Sequence, residues 1–322
     1  MNSIPHRIFL LEAVKVTVFC LAITGIFRWF GASNDFLLVI LNMAVMSNAS
    51  TFSPERKKFH HLILASFVIV ISTVSGGLLG YYVPTIAQIC TIIYAGLAFF
   101  LSKTKAMTTI FVTGSVLFLI FTALPFDLNR GMLYLLFGIV VILLFVGFHL
   151  LFNTASTTIE EKKSEEKLIT ACIAIFSLAG AWIISYYLNA YTSFSHLYWI
   201  GLTALVVIQG SQQKKIKTAF IRIVINTIGA LIIVFLFSYI IPATFWINFV
   251  LLIIFLFMIF ALGYSYAWRT LFIELFVLAF THLLGSYQNM VAFERVILTV
   301  IGGALVIVFT TISYTFFKLI KT

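Results

Sequence analysis

The stretch Phe249-Val-Leu-Leu-Ile-Ile-Phe-Leu-Phe-Met-Ile-Phe260 is apolar at every position, and it decides the fold class. Inside a bilayer every backbone N–H and C=O group must bond within the protein, so a spanning segment is either an α-helix or a strand of a closed barrel. Barrel strands alternate apolar and polar residues over about ten positions. This stretch does not alternate, and we therefore predict a membrane-spanning helix.

The whole chain has the same character. Of its 322 residues, 62% are hydrophobic and 9% are charged, whereas soluble domains have about 45–50% apolar and about 25% charged residues. The apolar residues form blocks of about 15–25, the length that a helix needs to cross a hydrocarbon layer of about 30 Å. Residues 62–82 and 168–198 contain no charged side chain. We predict an all-α integral membrane protein, because no water-soluble fold could accommodate this sequence.

The blocks predict twelve helices, of which the second and eighth are short enough to be tilted or incomplete spans. Their approximate bounds are residues 8–27, 36–51, 61–82, 85–101, 106–124, 131–152, 168–188, 197–210, 218–240, 244–262, 270–285 and 293–317. Lys and Arg are enriched in cytoplasmic loops. With the N-terminus inside, only Arg28, Arg130 and Arg295 of the 20 Lys and Arg residues fall outside. Both termini are therefore expected in the cytoplasm.

One long hydrophilic connection divides the chain. We expect a first six-helix half at residues 1–152, a charged cytoplasmic linker at 153–167 and a second six-helix half at 168–322. The halves resemble distant copies, because a Gly follows an Arg after eight residues at the start of the sixth and twelfth helices (Arg130 and Gly138, Arg295 and Gly303). Six helices per half would make this a parallel repeat.

Ionisable groups within membrane helices are costly and are therefore functional candidates. Glu274 lies about one turn into the eleventh helix, with Thr270 on the same face. A carboxyl group facing the bundle interior could exchange a proton during transport. The alternative is a structural pair with a Lys or Arg on another helix.

The ninth helix carries a polar stripe on one face. Thr218, Arg222, Asn226 and Gly229 follow one another at helical spacing. The Arg222 guanidinium could bind an anionic substrate through two hydrogen bonds. It could equally extend to the cytoplasmic surface, while Gly229 permits a close helix contact.

Arg130 and Arg295 lie near the outer ends of equivalent helices. Together they could form a positive exit vestibule for anions, but pairing with Asp127 and Glu294, or with lipid headgroups, explains them as well. We expect no metal site, since the three Cys and the His residues show no ligand spacing. His60 and His61 are expected in a solvated basic loop.

Several function classes lack support in the sequence. No Gly-x-x-x-x-Gly-Lys-Ser/Thr loop for ATP and no Gly-x-Ser-x-Gly nucleophile elbow is present. The net charge of +10 comes from short loops between apolar blocks, so membrane topology explains it without a nucleic-acid partner. We predict neither an enzyme nor a cofactor.

The segments Thr203-Ala-Leu-Val-Val-Ile-Gln-Gly-Ser211, Thr218-Ala-Phe-Ile-Arg222 and Asn226-Thr-Ile-Gly229 resemble the fusaric acid resistance and aromatic acid exporter superfamily. Glu294-Arg295 through Gly302-Gly303 is similar to the last helix of that superfamily. The resemblance is best over residues 197–318. The chain departs from the family at Ile225-Asn226, where Gly-Thr is usual, and it lacks the large cytoplasmic domains of the longer members.

The resemblance implies a bacterial inner-membrane exporter of small organic compounds, often aromatic or anionic. The expected partners are the lipid bilayer and a small-molecule substrate. A periplasmic membrane-fusion adaptor is a further expected partner, and the chain could also form a homo-oligomer. Two rivals stay open: a major-facilitator-type transporter, and a non-transporting membrane scaffold or assembly subunit. The loop at residues 53–58 lacks the Gly- and Asp-bearing pattern of the first rival.

Overall fold

The computed structural model describes residues 6–32, 36–50, 55–102, 104–152, 167–208, 212–237, 253–258, 265–283 and 288–321, and their regular elements are helices. The helices are α1 (His6–Trp29), α2 (Phe36–Ser50), α3 (Glu55–Tyr82), α4 (Pro84–Leu101), α5 (Lys105–Ala123), α6 (Leu128–Phe152), α7 (Lys167–Tyr191), α8 (Trp199–Val207), α9 (Gln212–Phe235), α10 (Tyr266–Leu283) and α11 (Gln288–Lys321). The predicted all-α fold is confirmed for these residues.

Each labelled helix overlaps one predicted span. The predicted tenth span, 244–262, lies outside the described residues except for 253–258, which are helical. Within the described part of the chain, seven helices are long and apolar enough to cross a bilayer: α3, α4, α5, α6, α7, α9 and α11. The chain is therefore a multi-pass membrane protein, while the count of twelve spans stays a prediction.

Two local predictions change. Helix α3 begins at Glu55, so the basic segment expected as a loop lies in the first turns of the helix. His61 is buried, which contradicts the expected solvated position.

Helix α8 has 9 residues, fewer than the roughly 20 needed to span the hydrocarbon layer.

The chain divides into two compact units, Met1–Ala171 and Cys172–Thr322. In the first unit, α3 packs against α5 at two glycines. A Cβ atom on Gly76 would lie 2.6 Å from the Phe118 carbonyl oxygen, and one on Gly80 would lie 2.7 Å from that of Thr122. Only residues without a side chain allow the two backbones to come so close.

In the second unit, α9 packs against α10 and α11, and α11 also packs against α8. The contact with α8 depends on Gly302, because a Cβ atom there would lie 2.5 Å from the Ile200 carbonyl oxygen. The short helix α8 is thereby held directly on the backbone of α11. Its residue Trp199, at the N-terminal end, is completely buried.

Corresponding helices of the two units make similar contacts. Gly138 on α6 faces Val70 on α3, and Gly303 on α11 faces Ile223 on α9. Six residues beyond each of these aliphatic partners, a second glycine faces another helix of its unit, α5 for Gly76 and α10 for Gly229. The repeat itself stays a prediction.

Candidate functional site: a buried charged cluster in the second unit

The centre of the candidate site is an ion pair between α10 and α11. The Nε–H group of Arg295 donates to both carboxylate oxygens of Glu274, at 3.1 Å and 3.0 Å, and each side chain is 1% exposed. The structural pairing that the sequence left open for Glu274 is therefore present. Of the alternatives left open for Arg295, pairing with Glu294 is not the one observed, because Arg295 turns to Glu274 on the neighbouring helix.

The absence of a side chain at Gly229 makes room for this pair. A Cβ atom on Gly229 would lie 3.0 Å from Cγ and 3.3 Å from Cβ of Glu274. Helix α10 therefore lies against α9 with the Glu274 stem directly over the glycine. The helix contact predicted for Gly229 is confirmed, and it positions a charged group as well as packing two helices.

Arg222 on α9 is a second buried cation. Its side chain is 2% exposed, and its Nε–H group has no hydrogen-bond partner among the described residues. The like charge of Arg222 acts on Arg295, whose Nη1 group also lacks a partner there. Two guanidinium groups thus act on each other, and the Glu274 carboxylate pairs with the one on Arg295. Extension of Arg222 to the surface is contradicted by its burial.

Asn226, one turn along α9 from Arg222, joins α9 to α11. Its amide Nδ2 group donates to Thr299 Oγ1 at 3.1 Å, and both residues are completely buried. The amide oxygen Oδ1 of Asn226 and the hydroxyl of Thr203 on α8 have no partner among the described residues. The cluster therefore contains unused acceptors as well as unused N–H donors.

Trp199 covers one side of the cluster. The Arg295 guanidinium carbon lies 4.7 Å from the centre of its ring system, which is a cation–π geometry. The His196 imidazole stacks on Trp199 at 4.5 Å and 16°. Trp199 is thus in contact with a guanidinium and an imidazole.

Glu294, on α11, binds the loop before α8. Its Oε2 atom lies 2.8 Å from Nδ1 of His196, and its Oε1 atom accepts the Ser195 backbone N–H at 3.3 Å. Glu294 is 4% exposed. The side chain holds the start of α8 against α11.

The other predicted residues are more scattered. Thr270 is buried one turn before Glu274, and Thr218 is partly exposed near the start of α9. Arg130 belongs to the first unit, where its guanidinium carbon lies 5.6 Å from the ring centre of Tyr134. Asp127 accepts the backbone N–H of Arg130 at 3.0 Å and so caps α6.

The sequence did not single out Trp199, His196 or Thr299. Thr299 follows Arg295 by one helical turn, so a polar face on the last helix was a signal that could have been used. Nothing local marks the other two, because they reach the site through the packing of α8. Within the described ranges, no group of three or more His, Cys, Asp or Glu residues is placed to hold a metal ion.

Residues 171–309 match the family described as fusaric acid resistance protein-like. Over this stretch the chain is similar to that family. The match includes α8, α9, α10 and the first two thirds of α11, and with them the whole charged cluster. No curated protein and no solved structure matches the chain. The matched family is one of transporters, which suggests transport across a membrane.

Proposed function

We propose that this fusaric acid resistance-like protein is an inner-membrane efflux permease for small organic anions, above all aromatic acids. Arg222 binds the acid group of the substrate. The observation that carries the proposal is the burial of Arg222 with its Nε–H group lacking a hydrogen-bond partner in the described residues. A buried cation without a counterion is strongly destabilising, so a substrate anion would supply the missing charge.

The charge balance of the cluster supports an anion rather than a cation. Arg295 is already neutralised by Glu274, so the excess positive charge resides at Arg222. The unused N–H groups on Arg222 and Arg295 are donors of the kind that bind carboxylates and sulfonates. A free amide oxygen on Asn226 could receive a hydroxyl group of the same ligand.

The arrangement supports a structural role for Glu274 over proton exchange. Both carboxylate oxygens of Glu274 accept bonds from the Arg295 side chain, which holds the two helices together. Proton coupling, if the permease uses it, therefore requires another group in this half.

The localisation and partners follow from the same proposal. We propose a location in the bacterial inner membrane, and the Lys and Arg distribution supports an orientation with both termini in the cytoplasm. Arg222 lies in the cytoplasmic half of α9 under that orientation. Substrate would enter from the cytoplasm, and a periplasmic membrane-fusion adaptor would receive it. A homo-oligomer is compatible with the proposal.

The test is efflux of labelled aromatic and aliphatic acids from cells that lack their own exporters, with a candidate adaptor co-expressed. We expect Arg222→Gln to lower the efflux rate at low substrate concentration by about tenfold or more, the equivalent of one charged hydrogen bond. Lys217→Gln is the matched control, because it removes a positive charge from an exposed site on the same helix. Loss of efflux in both variants would indicate a topology defect. If the wild-type protein exports none of the acids, the alternative of a non-transporting membrane scaffold is favoured.

A further inference from the structure

The loop before α8 carries a second ionisable group, distinct from the Glu274–Arg295 pair. His196 Nδ1 lies 2.8 Å from Glu294 Oε2 and 2.8 Å from Ser195 Oγ. The Ser195 hydroxyl also donates to Glu294 Oε2 at 3.4 Å. The His196 side chain is 16% exposed, so water can reach the imidazole, whereas Glu294 is buried.

We propose that His196 and Glu294 together form a proton-binding site whose charge controls the affinity of the Arg222 site for anions. This inference rests on the anion-binding function proposed above. It assigns the proton-sensitive role to the His196–Glu294 pair rather than to Glu274. Histidine is the side chain that commonly changes charge between about pH 5 and pH 8.

The hydrogen bonds define where the proton goes. With a neutral imidazole, Nδ1–H donates to Glu294 Oε2, and the pair carries one negative charge. An added proton goes to Nε2, and the resulting imidazolium keeps its bond to Glu294. The charge of the pair then changes from minus one to zero.

The surroundings transmit this change to the anion site. His196 stacks on Trp199 at 4.5 Å, and the Arg295 guanidinium lies 4.7 Å from the same ring centre. The other ionisable groups that face the pair in the described residues are the Tyr198 phenol, on which both Glu294 and Arg295 act, and Glu274 beyond Arg295. The pair is therefore separated from the cation cluster by a single indole.

The sign of the coupling follows from electrostatics. Protonation removes one negative charge from the neighbourhood of Arg295 and Arg222, so an anion binds more tightly. At an effective dielectric constant of about 20, a unit charge roughly 10 Å from the anion changes its binding by on the order of tenfold. By reciprocity, a bound anion must favour protonation of the pair by the same factor. Loss of the proton therefore assists release of the anion.

The experiment uses the purified full-length protein in nanodiscs and benzenesulfonate, which stays charged over the whole pH range. The dissociation constant is measured by calorimetry from about pH 5 to about pH 8, and proton uptake on binding is followed with a pH indicator. We expect the affinity to fall on the order of tenfold as the pH rises. Binding near neutral pH should be accompanied by proton uptake.

Three variants separate the causes. His196→Gln should bind with the weaker, high-pH affinity throughout and take up no proton. Glu294→Gln removes the negative charge and should bind more tightly than the wild type at about pH 8. His60→Gln, an exposed histidine of the first unit, should behave as the wild type.

The outcomes distinguish the two proposals. If the pH dependence survives in His196→Gln, or if Glu294→Gln binds no more tightly at high pH, the proton site is wrong while the anion site stands. If the wild type binds no benzenesulfonate at any pH, the anion site is wrong, and the coupling fails with it.

Discussion

Replacing Arg222 by Met should stabilise the ligand-free protein, although it removes the residue that we assign to the substrate. Met keeps the length and flexibility of the Arg stem and favours helix. It removes a buried Nε–H group that has no acceptor in the described residues, together with a charge that acts against Arg295. Arg295→Met is the opposite case, because it leaves the Glu274 carboxylate buried without its partner.

The expected magnitudes differ in sign. An unsatisfied buried donor destabilises by about 1–3 kcal/mol, so Arg222→Met should raise the unfolding free energy by about that amount. Removal of one member of a buried ion pair destabilises by about 3–5 kcal/mol. At about 2–4 °C per kcal/mol for a unit of this size, the melting temperature should rise by about 2–12 °C in Arg222→Met. In Arg295→Met it should fall by about 6–20 °C.

The assay is thermal loss of helical circular dichroism in one detergent at one pH, without substrate. Saturating benzenesulfonate is then added to each variant. The ligand should stabilise the wild type and have no effect on Arg222→Met, since stabilisation by a ligand requires binding to the folded state. The reasoning is refuted if Arg222→Met lowers the melting temperature as much as Arg295→Met does. Arg222 would then be a structural cation with its own partner.

Three further predictions concern neighbouring positions. Gly229→Ala should lower the unfolding free energy by about 1–3 kcal/mol, because the new Cβ meets the Glu274 side chain on α10. The control is Gly147→Ala, where the added Cβ meets open space. It should be neutral or stabilising in the same thermal unfolding experiment. Asn226→Asp should abolish benzenesulfonate binding in calorimetry by giving Arg222 a counterion one turn away, and unchanged affinity would contradict the assigned anion position. Gly302→Ala should displace α8 and expose the tryptophan at its start, which hydrogen exchange of α8 would detect as faster exchange than in the wild type.

Apolar block length predicted the helices well, because the bilayer fixes how many residues a span needs. The start of α3 was misjudged, since charged residues such as Glu55 and Lys57 can occupy a helix that continues beyond the hydrocarbon layer. Length alone also could not set the bounds of α8, which ends at Val207 rather than near residue 210.

The candidate site was predictable in its members and less so in its pairing. Glu274, Arg222, Asn226 and Arg295 were marked by the cost of placing charge and amide groups in membrane helices. The pairing of carboxylates with guanidinium groups depends on how each helix is rotated about its axis. Adjacency in the sequence does not predict that pairing. Glu294 precedes Arg295 directly, yet the two side chains take partners on different elements.

The stacking around Trp199 has an optical consequence. An indole ring touched by an imidazole transfers its excited electron more readily once that imidazole is protonated, and its emission is then quenched. The His196 ring at 4.5 Å thus makes Trp199 a built-in fluorophore whose brightness reports the charge of its neighbour. Protonation of His196 can therefore be followed by Trp199 fluorescence, without a dye or an isotope.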